Sequence, residues 1–253
     1  MRILILVLLL VGCSRADAPA PPVTPLATPT PAPSPAASLD MEAARQAFLD
    51  VMHERLLALE EVEHAVVRGD VEAARAAARG VNIEQLRRDL PADWQPRVDA
   101  LVSALAQVAA DGDLASVARG AAQSAAACGS CHKQAEAGLT FSRAGHPGRE
   151  PGAVAHMARH REAAALMREA LISADDARWS SAMTWLAQGP MEGEELPSGY
   201  TLDATAREWE ARVHALAAQG QAAPDAAARA AVYGDALVAC ASCHEHTGGG
   251  PSK

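Results

Sequence analysis

Cys128-Gly129-Ser130-Cys131-His132 recurs 112 residues later as Cys240-Ala241-Ser242-Cys243-His244. Each stretch reads Cys-x-x-Cys-His, the spacing of covalent c-type haem attachment. Two thiols add across the two vinyl groups of a haem, and the next residue offers an imidazole to the iron. On a helix, positions i, i+3 and i+4 share one face, so both sulfurs and the ring reach one porphyrin from the same side. Without haem, the same spacing would serve a redox dithiol or half of a zinc site, with one Cys₄ zinc shared between the copies. The cysteine count favours haem. Of five cysteines, four stand in the two motifs and the fifth, Cys13, stands near the N-terminus. None is left for a disulfide or a lone nucleophile. The expectation is two covalently bound haem c groups, on Cys128 and Cys131 and on Cys240 and Cys243, with His132 and His244 as axial iron ligands.

Working outward, each motif closes a block of helical sequence. In the first block, residues 40–137, a helix from near Asp40 to Val67 carries Leu49, Met52, Leu56 and Leu59 on one stripe. Gly69-Asp70 breaks it, and a short second helix runs to about Arg79. Pro91 and Pro96 bracket the start of a third helix, with Trp94, Val98, Leu101 and Leu105. Asp111-Gly112-Asp113 forms a turn and N-cap for the fourth, the motif helix. The second block, residues 153–246, repeats the order. Met157, His160, Met167 and Leu171 lie on its first helix. Asp175-Asp176 breaks it, and Trp179, Trp185 and Leu186 mark the second. Trp209, Val213 and Leu216 mark the third, and Pro224-Asp225 opens the fourth. Trp94, Arg97, Val98 and Leu101 are echoed by Trp209, Arg212, Val213 and Leu216. Aligning Asp70 with Asp175 pairs Met52 with Met157. The pattern predicts an all-α protein of two tandem four-helix bundles, joined by residues 138–152 and ending in a flexible tail, 247–253.

Alanine is abundant and aromatic residues make up only 3% of the chain, so the helices must pack through small side chains. Two haems would supply the missing apolar bulk. The formal net charge is −9 and no basic cluster occurs, so nucleic-acid binding is not expected. Residues 1–12 join a positive start to an apolar run too short to span a bilayer, which fits a secretory signal. Leu10-Val11-Gly12-Cys13 resembles the lipobox of bacterial lipoproteins. That resemblance implies cleavage before Cys13, its lipidation and, with Ser14 following, sorting to the outer membrane. Residues 13–39 then form the anchor and a Pro/Ala-rich disordered linker. The 22 residues from 17 to 38 would span about 70 Å at ~3.1 Å each if extended.

A haem motif on the last helix of a four-helix unit resembles the class II cytochromes c, the cytochrome c-prime bundles. The stretch from His156-Met157-Ala158-Arg159-His160 to Trp179 also resembles di-haem lipoprotein cytochromes of bacteria. The class II resemblance implies that the iron face opposite the motif histidine meets the first helix and is either empty or filled by methionine. Met52 and Met157 are the paired candidates for the sixth ligand, with His53 and His160 as the histidine alternatives. Methionine would raise the reduction potential and a second histidine would lower it. An empty position would admit NO or CO. His64, His146, His214 and His246 read as surface residues, the tryptophans as core wedges, and Glu192, Glu194 and Glu195 as a solvated loop. No acid–base pair for an open iron is evident, so an enzyme is not expected. The expected function is electron transfer by a lipid-anchored di-haem protein of the cell envelope, with gas binding or sensing as the alternative. Its partners would be redox proteins and the membrane, and the blocks would pair with each other or in a homodimer.

Overall fold

The computed structural model describes residues 35–141, 152–189, 191, 196 and 201–250. Cys13, the apolar N-terminal run, most of the linker, His146 and the Glu192–Glu195 loop lie outside the described residues. The chain falls into two units, residues 1–45 and Gln46–Lys253. The first is described only for the opening of α1, and everything below concerns the second.

The described residues are helical and contain no strand. In order they form α1 (Pro35–Val67), α2 (Val71–Gly80), α3 (Glu84–Asp89), a 3-10 turn (Ala92–Trp94), α4 (Gln95–Ala109) and α5 (Leu114–Gln134). Then follow α6 (Ala153–Ser173), α7 (Asp176–Leu186), α8 (Ala204–Ala222) and α9 (Ala226–Thr247). α1 begins five residues before Asp40, taking in part of the expected linker, and α3 fills a stretch expected to be irregular.

Aspartate fixes most of the helix starts. Asp70, Asp113, Asp175, Asp203 and Asp225 each accept the backbone N–H three residues on, at 2.8–3.0 Å. Each satisfies a donor that the first helical turn leaves without an intrahelical partner. Gly69, at φ +68°, supplies the left-handed step that ends α1.

The expected bundles do not stand apart in this unit. α5 packs along α9 and also against α6, so one apolar core runs through both blocks. Alanines make this close approach possible: Ala118, Ala121, Ala122 and Ala125 on α5, and Ala230, Ala236, Ala239 and Ala241 on α9, are all buried. A Cβ at Gly234 would sit 3.3 Å from Arg119 Cα, so here the two backbones nearly touch. Trp179 is a core wedge, as its spacing implies, and its Nε1–H donates to the Gly220 carbonyl at 2.9 Å. Trp94, Trp185 and Trp209 are half-buried.

The two first helices meet through charge. Arg168 on α6 is buried and forms a double ion pair, with Glu63 and, at 2.7 Å, with Glu60 on α1. Desolvation opposes its charge, but the two carboxylates more than compensate and hold the guanidinium protonated. The offset of 105 residues that aligns Asp70 with Asp175 also aligns Glu63 with Arg168. The same point of the repeat is therefore acidic in one copy and basic in the other. The buried aromatic ring of Tyr233 on α9 stands beside the Glu63 carboxylate, and burial together with that charge pushes its hydroxyl well above the ordinary tyrosine range.

Arg168→Met should cost about 3–5 kcal/mol, because it leaves Glu63 buried without its cation. The triple variant Arg168→Met/Glu63→Leu/Glu60→Ala should recover more than half of that loss. Urea denaturation of the three proteins checks both expectations.

Candidate functional site

The two motifs occupy equivalent places near the ends of α5 and α9, each facing the far end of the other block's first helix. His132 Nδ1 lies 2.8 Å from the Ile172 carbonyl oxygen at the end of α6. His244 Nδ1 lies 3.3 Å from the Val67 carbonyl oxygen at the end of α1. A carbonyl oxygen only accepts, so both rings carry their proton on Nδ1, and the Nε2 lone pair is free. The 105-residue offset maps Val67 onto Ile172. Each block thus orients the motif histidine of the other. A backbone carbonyl is a common outer partner of an iron- or zinc-ligating imidazole.

Gly129 sets the approach in the first copy. A Cβ there would collide with the Leu171 carbonyl oxygen, so only glycine lets α5 reach the end of α6. Ala241, the matching residue of the second copy, is buried and does carry its methyl group.

The first motif borders a cavity of about 170 Å³. One water needs only ~10–15 Å³ by this measure, so the space suits an organic group. Cys128, Cys131 and His132 form one wall. Met52, Arg55 and Leu56 of α1 line it too, together with Leu86, Leu90, Val98 and Leu101. Arg55 is buried; its Nε–H donates to the Asn82 carbonyl at 3.1 Å and its Nη1 lies 3.9 Å from Met52 Sδ. Its Nη2 has no hydrogen-bond partner among the described residues. Desolvation lowers the Arg55 pKa, and nearby acidic groups counter that effect. An orphaned cationic donor on the wall of an apolar cavity fits a molecule that is mostly apolar and carries a carboxylate. A haem with its propionates has that composition.

All four described cysteines are free thiols. Desolvation pushes Cys128 and Cys240 up to about 12, with the neighbouring Cys131 and Cys243 adding to the effect. Cys131 and Cys243 are also raised by desolvation. These are not the depressed values of a reactive dithiol. Nor do the four sulfurs gather into a single cluster among the described residues, as a shared Cys₄ zinc would require.

The sixth-ligand candidates part company. Met52 lines the first cavity, whereas His53 is exposed to solvent beside it. Met157 is half-buried, and His160 is buried in a group that sequence reasoning missed: His156, His160, Glu210 and His214. His156 Nε2 lies 2.6 Å from Glu210 Oε1, His214 Nε2 3.2 Å and His160 Nε2 3.9 Å. The expectation that His214 lies on the surface is corrected here: its Nδ1–H donates to the Leu186 carbonyl at 2.6 Å and its ring turns inward. Burial resists ionisation of Glu210, but hydrogen bonds from His156 and His214 and the attraction of His160 outweigh it and hold the carboxyl well below its usual range. Two i, i+4 pairs, 156/160 and 210/214, were the available signal; what hid it was not knowing that α6 and α8 turn those faces together. His64 and His246 are exposed, as expected.

Comparison with family models, with curated proteins and with solved structures finds no match.

Gly129→Ala should lower the unfolding midpoint by about 1–3 kcal/mol equivalent, the usual cost of overpacking, while Ala241→Gly, which removes one methyl, should cost about 1 kcal/mol. Thermal unfolding of both variants tests this asymmetry.

Desolvation, against the pull of Glu210, lowers His160 to about 3. An unfolded histidine titrates near ~6.5. Between those values the unfolded chain holds a proton that the folded chain lacks, so stability rises with pH and falls as pH drops below about 6.5. His160→Gln should flatten the slope of unfolding free energy between pH 6 and 4.5 by about 1.4 kcal/mol per pH unit. Denaturant titrations at four pH values would show it.

Proposed function

We propose that the protein is a di-haem c-type cytochrome that transfers electrons in the cell envelope, tethered through a lipid on Cys13. The observation that carries this reading is the placement of the Cys-x-x-Cys-His helices. Each presents two thiols and an imidazole on one face, with Nδ1 tied to a helix-end carbonyl and Nε2 left for iron. Cys128 and Cys131 would hold one haem and Cys240 and Cys243 the other, with His132 and His244 as axial ligands, in two class II-like four-helix units fused side by side. When bound, haem supplies a one-electron Fe(III)/Fe(II) couple.

The chain's own residues have definable tasks in this reading. The carbonyls of Ile172 and Val67 keep the two rings in one tautomer and strengthen them as ligands. The apolar wall of Val98, Leu101, Leu86 and Leu90 excludes water from the first site. Arg55 would have its Nη2 available for a propionate, and Met52 lines the same cavity as His132. The net charge of −9 would steer the protein toward basic partner surfaces.

Protein produced with the cytochrome maturation machinery should gain the mass of two haems and give a pyridine haemochrome spectrum with two haems per chain. Cys128→Ala/Cys131→Ala should retain one, and so should Cys240→Ala/Cys243→Ala. A folded chain without covalent haem would end this reading. The volume of the cavity beside His132 favours a second reading, in which the first haem would keep an open position for NO or CO. In that case one haem in two would be high-spin when reduced and shift its Soret band under CO.

A further inference from the structure

His156, His160, Glu210 and His214 converge within the second block, and among them only His160 has a task assigned above, as a candidate sixth ligand. Their donor atoms all lie within 4.8 Å of one another. His156, His160 and Glu210 are 1%, 9% and 4% exposed. The three rings meet edge to face, with centroids 4.5–5.7 Å apart.

Hydrogen bonding leaves one ring nitrogen of the group over, that of His160. His214 gives its Nδ1 proton to the Leu186 carbonyl and turns Nε2 toward Glu210 Oε1 at 3.2 Å. His160 Nε2 is buried and has no hydrogen-bond partner among the described residues. Glu210 Oε1 already accepts the Met191 backbone N–H at 3.1 Å. His156 accepts from Arg159 Nη2 at Nδ1, 3.2 Å away, which places its own proton on Nε2, directed at the carboxylate.

The fold does not demand these residues. The repeat offsets place Arg55, Gln95 and Asp99 of the first block where His160, Glu210 and His214 stand in the second. There Asp99 pairs with Arg87 on the surface, Gln95 donates to the backbone carbonyls of Arg87 and Leu90, and the same helices pack without the cluster.

We propose that His160, His214 and Glu210 are the ligands of a divalent first-row transition ion, with His156 as a positioning residue that holds the carboxylate. Two neutral imidazoles and one carboxylate suit zinc, iron(II) or cobalt(II), and three protein ligands leave one position open. The ion lies between α6 and α8. This site does not rest on the haem reading, and it removes His160 from the candidate sixth ligands.

The test uses the full chain, carrying whatever haem it has, stripped with EDTA and then given ZnCl₂. After gel filtration, elemental analysis should find one zinc per chain, counted apart from haem iron. Glu210→Gln and His214→Gln should each lower zinc affinity at least tenfold, while His64→Gln, on the exposed face of α1, should not change it. Circular dichroism shows whether each variant is folded. If either unfolds, cobalt(II) on the unaltered protein decides instead, through the visible d–d bands of a tetrahedral site. No retained zinc and no such bands, equal zinc retention by folded Glu210→Gln and His214→Gln, or a bis-histidine low-spin haem signal lost in His160→Gln would each overturn the proposal. Haem counted by pyridine haemochrome tests the cytochrome reading independently.

Discussion

The buried contact between Arg168 and Glu63 is the constraint from which the rest of the arrangement follows. Taking two charges out of water is costly, and such a pair adds little net stability compared with apolar residues of the same volume. What it adds is register. α6 cannot slide along α1 by a turn without leaving a guanidinium or a carboxylate buried alone. Val67 then reaches His244 and Ile172 reaches His132. An ion pair between equivalent positions of the two repeats thus determines which carbonyl meets which imidazole.

This exchange explains why the repeats are not independent bodies. A four-helix unit could in principle supply the carbonyl for its own histidine. Here neither does, and the contact of α5 with α9 carries the core across the boundary between blocks. Alanine and glycine make that boundary possible, because larger side chains would hold the motif helices too far from the opposing helix ends. The low aromatic content is in this sense a requirement of close packing rather than a weakness of the core.

The sequence made the helix starts legible because an aspartate three residues before an N–H is a local device, complete within four positions. Asp70, Asp113, Asp175 and Asp225 each mark a break visible without any tertiary contact. The motif helices were legible for the same reason. The ends of α1 and α6 were not assignable to partners, since helical periodicity says which residues share a face and nothing about what that face meets. α6 was the hardest case. Arg159, Arg168 and Glu169 are buried alongside Leu166 and Met167, so the helix is covered nearly all round its second half and shows little contrast between faces. His214 was misplaced because a histidine between Val213 and Ala215 on an apparently amphipathic helix reads as a flank residue. Only the position of α6 shows that the flank is covered.

Duplication gives both blocks one scaffold, and the differences between copies are therefore choices the scaffold leaves open. At one wall of the first copy stand Arg55 and Met52, around a cavity with an unsatisfied cationic donor. At the matching wall of the second stand three imidazoles and a carboxylate, packed tightly enough to contact one another. A positive wall favours an anionic group beside the first motif. An ionised Glu210 acts in the opposite direction on the second, where its charge raises the thiols of Cys240 and Cys243. If the two motifs hold iron as proposed, a guanidinium beside the first and a carboxylate beside the second would pull their potentials apart. The negative neighbour stabilises Fe(III), so the second centre would be the stronger reductant and electrons would run from the second repeat toward the first. A cation bound by His160, Glu210 and His214 would cancel that carboxylate and narrow the difference. The direction of electron flow in this reading therefore rests on the charge state of one buried glutamate.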